Sequence, residues 1–348
     1  MRTRNPFFHA LRSQVAAAKK IITVVGATGA QGGSVIDHLL RSESQEYNIR
    51  AVTRSPDSAA AKALAARGIE VVQAELTDVA TLRAAFAGSY GIFAVTNFWG
   101  LFSEAQKDLS AEKDASLAAD KAATIETDMG INMANAALAI ETLQHYFWST
   151  LADAYTLSGG KSQPPHYESK ARVTRYIKPK PELLAKTTFV WCAFYASNFA
   201  WDFLKPVYFP AIGQYVQMQA TTSDQPIACI GNTRFNFGAF VEAALAQPET
   251  TRVGQTVFAF VERSTLGGLL EIWAEVHGVK ATYVQIPRDT FFDTWSAKAQ
   301  EFTLGMEFWE LVKDQKWTGE DRFLTYTDLG LDITTLKSVK DSFAELEL

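Results

Sequence analysis

The chain has 348 residues, 47% of them hydrophobic and 20% charged, values of an ordinary globular protein with room for one large or two modest domains. Its formal net charge of −5 gives no overall basic footprint, so direct nucleic-acid binding is not expected. Cys192 and Cys229 are its two cysteines, which excludes a disulfide scaffold or a cysteine-rich zinc site; no metal site is expected, and no apolar run approaches the length of a bilayer.

Residues 1–20 carry Arg2, Arg4, Arg12, Lys19 and Lys20 and no acid. That composition suits a transit peptide or a short basic extension, and the lack of a long apolar segment and the few serines favour the extension, with the cytoplasm as the expected compartment. From Ile21 an apolar β-branched run ends at Gly26, glycines recur at Gly29 and Gly32, and Ser34 onward continues with helical spacing. This is strand, tight turn and helix: the glycines let a pyrophosphate approach the backbone at the helix N-terminus, where free N–H groups and the dipole favour an anion. A turn without ligand is the alternative, and the strand and helix on either side weigh against it. Gly26, Thr28, Gly29, Ala30, Gln31 and Gly32 are the first cofactor-binding candidates.

Strand and helix then alternate. Residues 47–54 read as a second strand with Arg54 at its carboxyl end, where an acid would select NAD and an arginine can pair with the 2′-phosphate of NADP. NADP(H) is therefore preferred, with NAD(H) as the alternative and a plain surface arginine as the bland one. Residues 59–67 predict a helix stopped by Gly68, and 69–75 a third strand. Asp78 either reaches the adenine amino group or caps a helix over 79–86. Residues 91–99 look like a fourth strand running through Thr96, Asn97 and Phe98 into a loop at the cofactor. The charged stretch 100–124 reads as a helical excursion over the site or a solvated insertion, 128–140 as a helix, and 145–150 as the fifth strand. The order predicts an α/β fold with a right-handed, doubly wound parallel Rossmann sheet.

Gly-Ala-Thr-Gly-Ala-Gln-Gly at 26–32, Arg-Ala-Val-Thr-Arg at 50–54, Val-Thr-Asn-Phe-Trp at 95–99, Phe-Trp-Ser-Thr-Leu at 147–151 and Pro-His-Tyr-Glu-Ser-Lys at 165–170 together resemble the NmrA-like family of atypical short-chain dehydrogenase/reductases. The resemblance runs from about residue 20 to at least residue 300 and is nearest to fungal members. It implies a Rossmann domain binding NAD(P) and a smaller, interleaved α+β C-terminal domain closing a cleft over the nicotinamide. The expected division is 20–160, with returning segments near 166–197 and 228–262, against 198–227 and 263–348. The family contains reductases of quinones or of secondary-metabolite intermediates. It also contains dinucleotide-binding regulators that act through a protein partner, for which the nucleus is an alternative location.

A working short-chain dehydrogenase needs a tyrosine proton donor with a lysine four residues later on the same helix face. Lys170 is present, but the position four before it is His166. Tyr167 is about 100° round the helix. The family commonly has histidine there, and an imidazole with an ordinary pKa of about 6.5 can pass a proton near neutrality; shaping the pocket without proton transfer is the alternative. Ser149 or Thr150 can hydrogen-bond a substrate carbonyl, and Tyr155 is a second donor candidate. Beyond these, 187–195 reads as a sixth strand, and the aromatics of 196–204 with Tyr208, Phe209 and Tyr215 as pocket lining or core. Helices are expected over 235–245, 266–276 and 291–312, and strands at 255–261 and 281–286. The aromatics Trp295, Phe302, Phe308 and Trp309 suit core or a partner surface. The expected function is NADP(H)-dependent reduction of a carbonyl, quinone or imine of a small apolar molecule. The rival is a non-catalytic redox sensor acting through a regulatory partner, and a homodimer is a further expectation.

Overall fold

A computed structural model describes residues 19–42, 46–108, 115–313 and 323–347; the expectation for the basic start falls almost wholly outside them, as do 109–114 of the predicted excursion. The chain opens with β1 (Lys20–Val25), α1 (Ala30–Arg41), β2 (Tyr47–Thr53), α2 (Ala59–Ala66), β3 (Glu70–Gln73), α3 (Val79–Phe86) and β4 (Ser89–Ala94). Two helices, α4 (Phe98–Asp108) and α5 (Ala115–Leu138), precede β5 (His145–Thr150). The short α6 (Ala154–Leu157), α7 (Pro165–Ile177), α8 (Pro181–Leu184), β6 (Thr187–Cys192) and β7 (Phe194–Tyr195) follow.

After a 3₁₀ turn at Ala196–Ala200 come β8 (Val207–Phe209), β9 (Gln214–Gln219), β10 (Pro226–Gly231), α9 (Thr233–Ala246), α10 (Pro248–Thr251) and β11 (Gln255–Ala259). The chain ends with β12 (Glu262–Thr265), α11 (Leu266–His277), β13 (Ala281–Gln285), α12 (Arg288–Thr294), α13 (Ala297–Leu311) and α14 (Val339–Ala344). Seven strands form one parallel sheet in the order β11-β6-β5-β4-β1-β2-β3. The order reverses between β1 and β4, the switch point where doubly wound sheets open a crevice. Two three-stranded sheets, β12-β10-β7 and β13-β9-β8, stand apart from it.

The central strands are buried on both faces, which is why they read as continuous apolar runs. On one face α1 and α9 cross so closely that a Cβ on Gly238 would lie 2.2 Å from the Ser34 carbonyl oxygen, and the Gly238 N–H donates to Ser34 Oγ at 2.8 Å. On the other, Gly130 of α5 leaves room for Val173 and Trp148, seating α5 and α7 on β5. No helix among the described residues is long and apolar enough to cross a membrane.

Several expectations are corrected. The fourth strand stops at Ala94, and Phe98 and Trp99 open α4 instead of continuing it. The run 187–195 is two strands: β6 pairs in the main sheet while β7 pairs with β10. The single helix over 291–312 is broken by the extended residues Trp295 and Ser296 into α12 and α13. Its aromatics are turned inward: Phe308 is fully buried, and Phe302 packs on Phe194, Trp201 and Phe203. Tyr208 and Phe209 lie exposed on β8.

Candidate active site

The turn after β1 has the geometry its glycines demand. Gly26 adopts φ 68, a left-handed conformation, where a side chain would be strained and meet Val95 Cγ1 at 2.7 Å; a Cβ on Gly32 would fall 2.4 Å from the Gly26 carbonyl oxygen and part turn from helix. Gly29 caps α1 without a side-chain hydrogen bond, and the first turn holds no acid. The helix therefore presents uncapped N–H groups and an uncompensated dipole, which fits a dinucleotide pyrophosphate. Thr28, Gly29 and Ala30 are exposed there. Gln31 is more occupied: its Nε2 donates to Tyr195 Oη at 2.8 Å, and its Oε1 accepts from Ser149 Oγ at 2.6 Å. One side chain thus ties the turn to the ends of β5 and β7.

Arg54 lies exposed past the end of β2. Its carbonyl accepts from Gln73 Nε2 at 3.1 Å, while its guanidinium has no ion pair among the described residues. Asp78 realises the cap alternative, accepting from the N–H groups of Ala80 at 2.8 Å and Thr81 at 3.4 Å. Asn97 performs the same service for α4, its Oδ1 accepting from Gly100 N at 3.3 Å.

Lys170 reaches from α7 to the end of β4. Its Nζ donates to Thr96 Oγ1 at 2.9 Å and to Glu126 Oε1 at 2.6 Å, with a long contact of 3.4 Å to the Thr96 carbonyl. Of its three N–H groups, one is thus only weakly engaged. Glu126 is 0% exposed and also accepts from Ser169 Oγ; a carboxylate so buried needs this pairing. The sequence reading missed Glu126. It sits on a buried stripe of α5 with Ala119, Ala122, Gly130 and Met133, at helical spacing, and an acid in an apolar stripe is the signal that could have found it.

His166, one turn before Lys170, is 5% exposed. Its Nδ1 and its backbone N–H lie 2.7 and 2.9 Å from a single oxygen, Oε1 of Glu301 on α13. The imidazole is walled by Trp99, Phe98 and Phe302, with ring centroids 5.2, 5.8 and 6.4 Å away. Lys298 lays its ammonium 3.7 Å from the Trp201 centroid and 5.7 Å from that of Trp99, and desolvation holds its pKa below the ordinary lysine range. Glu301, Gly305 and Lys298 were not among the sequence candidates, whereas Trp201 is one of the aromatics of 196–204.

The remaining candidates are placed elsewhere. Thr150 turns its hydroxyl to Thr174 Oγ1 at 2.9 Å, in the β5–α7 interface. It is corrected as a substrate ligand, because strand alternation gives the opposite face to Ser149. Tyr155 is half exposed on α6, and no hydrogen bond or ring contact among the described residues joins it to His166, Lys170 or Ser149. Tyr167 is out of phase as expected: its hydroxyl accepts from Trp309 Nε1 at 2.8 Å, and burial pushes its pKa up to about 12.

The glycine turn and Thr96 follow the carboxyl ends of β1 and β4, Ser149 and Tyr195 lie at the carboxyl ends of β5 and β7, and Lys170, His166 and the aromatic wall stand over the same edge. This can hold a dinucleotide and an apolar molecule beside its reactive end.

The model of the NmrA-like family matches residues 18–320. The NmrA-like family domain-containing oxidoreductase notA of Aspergillus sp. (strain MF297-2) is 27% identical over 346 residues, spanning 94% of this chain and 91% of its own. Among solved structures, NmrA, a negative transcriptional regulator, is 18% identical with a TM-score of 0.67 over 94% of this chain and 95% of its own; it has been crystallised with NAD and with NADP. The NADPH-dependent quinone oxidoreductase QOR2 of Escherichia coli, complexed with NADPH, is 19% identical with a TM-score of 0.64 over 93% and 98%. The likeness of fold extends over nearly the whole molecule, and with the family model spanning its glycine turn, its sheet and the helix that carries Lys170, the chain belongs to the NmrA-like family.

Proposed function

We propose that the chain is an NADP(H)-preferring oxidoreductase that reduces a carbonyl, quinone or imine of a small apolar molecule. The observation that carries this reading is Lys170, held on Thr96 by a fully buried glutamate, one turn from an imidazole walled by aromatics and beside a turn fit for pyrophosphate. When bound, the cofactor supplies the hydride. Lys170 uses its weakly engaged N–H for the nicotinamide ribose, and Arg54 pairs with the 2′-phosphate. The aromatic wall excludes water and receives the apolar substrate, with Trp201 and Phe302 packed beside Trp99 in it. The family relative named as an oxidoreductase and the NADPH complex of QOR2 support the assignment.

Arg54→Ala is expected to weaken NADPH about ten- to a hundredfold, the worth of a charge-assisted pair, and NADH hardly at all, as read by calorimetric titration. Equal losses for both remove the NADP preference. The reading as a whole is tested by NADPH consumption over a panel of quinones, aldehydes, ketones and imines. Turnover that falls roughly 10²-fold or more in Lys170→Ala, on the scale of a lost positioning or proton-transfer group, supports it. Binding of both redox forms with no turnover favours the second reading, a dinucleotide sensor with a protein partner, which the likeness to NmrA keeps in view.

A further inference from the structure

The short-chain dehydrogenase pattern supplies its proton from a tyrosine where this chain has His166, and a histidine does that work only if its tautomer and orientation are fixed. The fold provides a fixing group. Glu301 comes from α13, 135 residues downstream, is 3% exposed, and approaches the start of α7 so that one oxygen, Oε1, meets both the backbone N–H and Nδ1 of His166. A backbone N–H can only donate, so the oxygen it meets is a bare acceptor and carries no proton toward that side. With Glu301 as a carboxylate, an acceptor only, Nδ1 is the second donor, which leaves Nε2 as the working nitrogen of the neutral ring.

The other end of the ring is arranged to match. Nε2 has no hydrogen-bond partner among the described residues, yet it is not among the fully buried atoms that lack one, so it is not sealed off. Gly305, one turn after Glu301 on α13, gives it room: a Cβ there would stand 3.0 Å from Nε2. Glu301 and Gly305 therefore act on the two nitrogens of one imidazole from one face of one helix.

We propose that Glu301 is a positioning residue that holds His166 as the Nδ1–H tautomer and aims Nε2 at the substrate, making Nε2 the atom that exchanges a proton with it. The proposal rests on the oxidoreductase reading above. In the reducing direction a substrate carbonyl gains hydride at carbon from the reduced nicotinamide, its C=O π pair moves to oxygen, and that oxygen takes the proton from Nε2 of the imidazolium. His166 is left neutral with Nδ1–H on Glu301, and solvent returns the proton to Nε2. In the oxidising direction neutral Nε2 receives the alcohol proton. The nicotinamide is oxidised and the carbonyl reduced by the same two electrons.

The test has two arms. Nitrogen-15 NMR of the histidine-labelled protein without substrate, at a pH where His166 is neutral, is expected to show His166 protonated at Nδ1 alone. Glu301→Gln, whose amide oxygen still accepts, keeps that signature, whereas Glu301→Leu gives a mixture of tautomers. A mixture in the wild-type protein, or an Nδ1–H signature that survives in a folded Glu301→Leu variant, overturns the positioning role. If Glu301→Leu does not fold, the wild-type and glutamine spectra still decide it, because an Nε2–H ring in either contradicts the assignment. The second arm is turnover: with any substrate the wild type reduces, Glu301→Leu loses roughly 10²-fold in kcat, the usual worth of an acid–base group, while Glu301→Gln loses less than about tenfold and the Kd of NADPH is unchanged. Equal kcat in wild type and Glu301→Leu overturns the positioning role of Glu301. If the wild type reduces nothing, the oxidoreductase reading fails, and the spectra still decide whether Glu301 fixes the ring.

Discussion

Gly32→Ala is expected to lose NADPH binding by roughly two orders of magnitude and to destabilise the protein by about 1–3 kcal/mol, the range for overpacking a filled site. The added Cβ meets the Gly26 carbonyl oxygen at 2.4 Å, the Gly26 carbonyl carbon at 2.7 Å and the Val25 carbonyl oxygen at 3.0 Å. All three are backbone atoms of the turn and of the end of β1, so nothing can swing aside, and relief requires α1 to move off the turn whose N–H groups would receive the phosphates. The neighbouring glycine supplies the control. The three atoms nearest a Cβ on Gly33 all belong to the guanidinium of Arg234, the far end of an exposed side chain whose Nη1 donates to the Gly29 carbonyl at 2.8 Å. Gly33→Ala should therefore displace Arg234 and leave binding within a few-fold of wild type. Titration with NADPH and thermal unfolding check the pair, and equal binding losses at both positions would refute the close-approach argument.

The second large effect is expected at Glu126. Glu126→Leu leaves the ammonium of Lys170, whose side chain is 12% exposed, without its counter-charge and Ser169 Oγ with only the long 3.4 Å contact to the His166 carbonyl. Breaking a buried pair from one side costs about 3–5 kcal/mol, mainly because the surviving charge stays desolvated. The double variant Glu126→Leu/Lys170→Met removes that charge as well and should recover most of the loss, although not turnover. Denaturant unfolding of the two single variants and the double variant closes the cycle. A Glu126→Leu protein within about 1 kcal/mol of wild type, less than breaking a buried pair costs, would mean that the pair contributes little to holding Lys170.

What the sequence disclosed depended on whether a signal is local. The glycine turn, α3 with its Asp78 cap and β5 over His145–Thr150 lie where their residues indicate, because turn chemistry, capping and apolar run length act over a few residues. The division of 187–195 into β6 and β7 was not legible. Both pieces are apolar, and only pairing with the distant β10 reveals that the chain has changed sheets. The break at Trp295–Ser296 was hidden similarly, since aromatics continue on both sides of it.

The candidate site was half legible. Lys170 and His166 could be found because a four-residue spacing places them on one helix face. Their carboxylate partners, Glu126 and Glu301, come from far off in the chain, the first between the expected 100–124 excursion and the helix expected over 128–140, the second within the helix expected over 291–312. Glu301 shares a face with Gly305 and Phe308 at helical spacing, so an acid among buried positions was again the available clue. Which lysine or histidine it would meet is tertiary information.

The central claim is that this chain transfers hydride, and the most direct measurement follows the hydride itself. NADPH carrying deuterium at C4 of the nicotinamide would be incubated with the protein and the carbonyl, quinone and imine panel, and the products examined by mass spectrometry. Deuterium is expected in a reduced product of the wild-type protein and is expected to be lost in Lys170→Ala. Tight NADPH binding with no deuterium in any product, or the same labelling in Lys170→Ala, would contradict that claim.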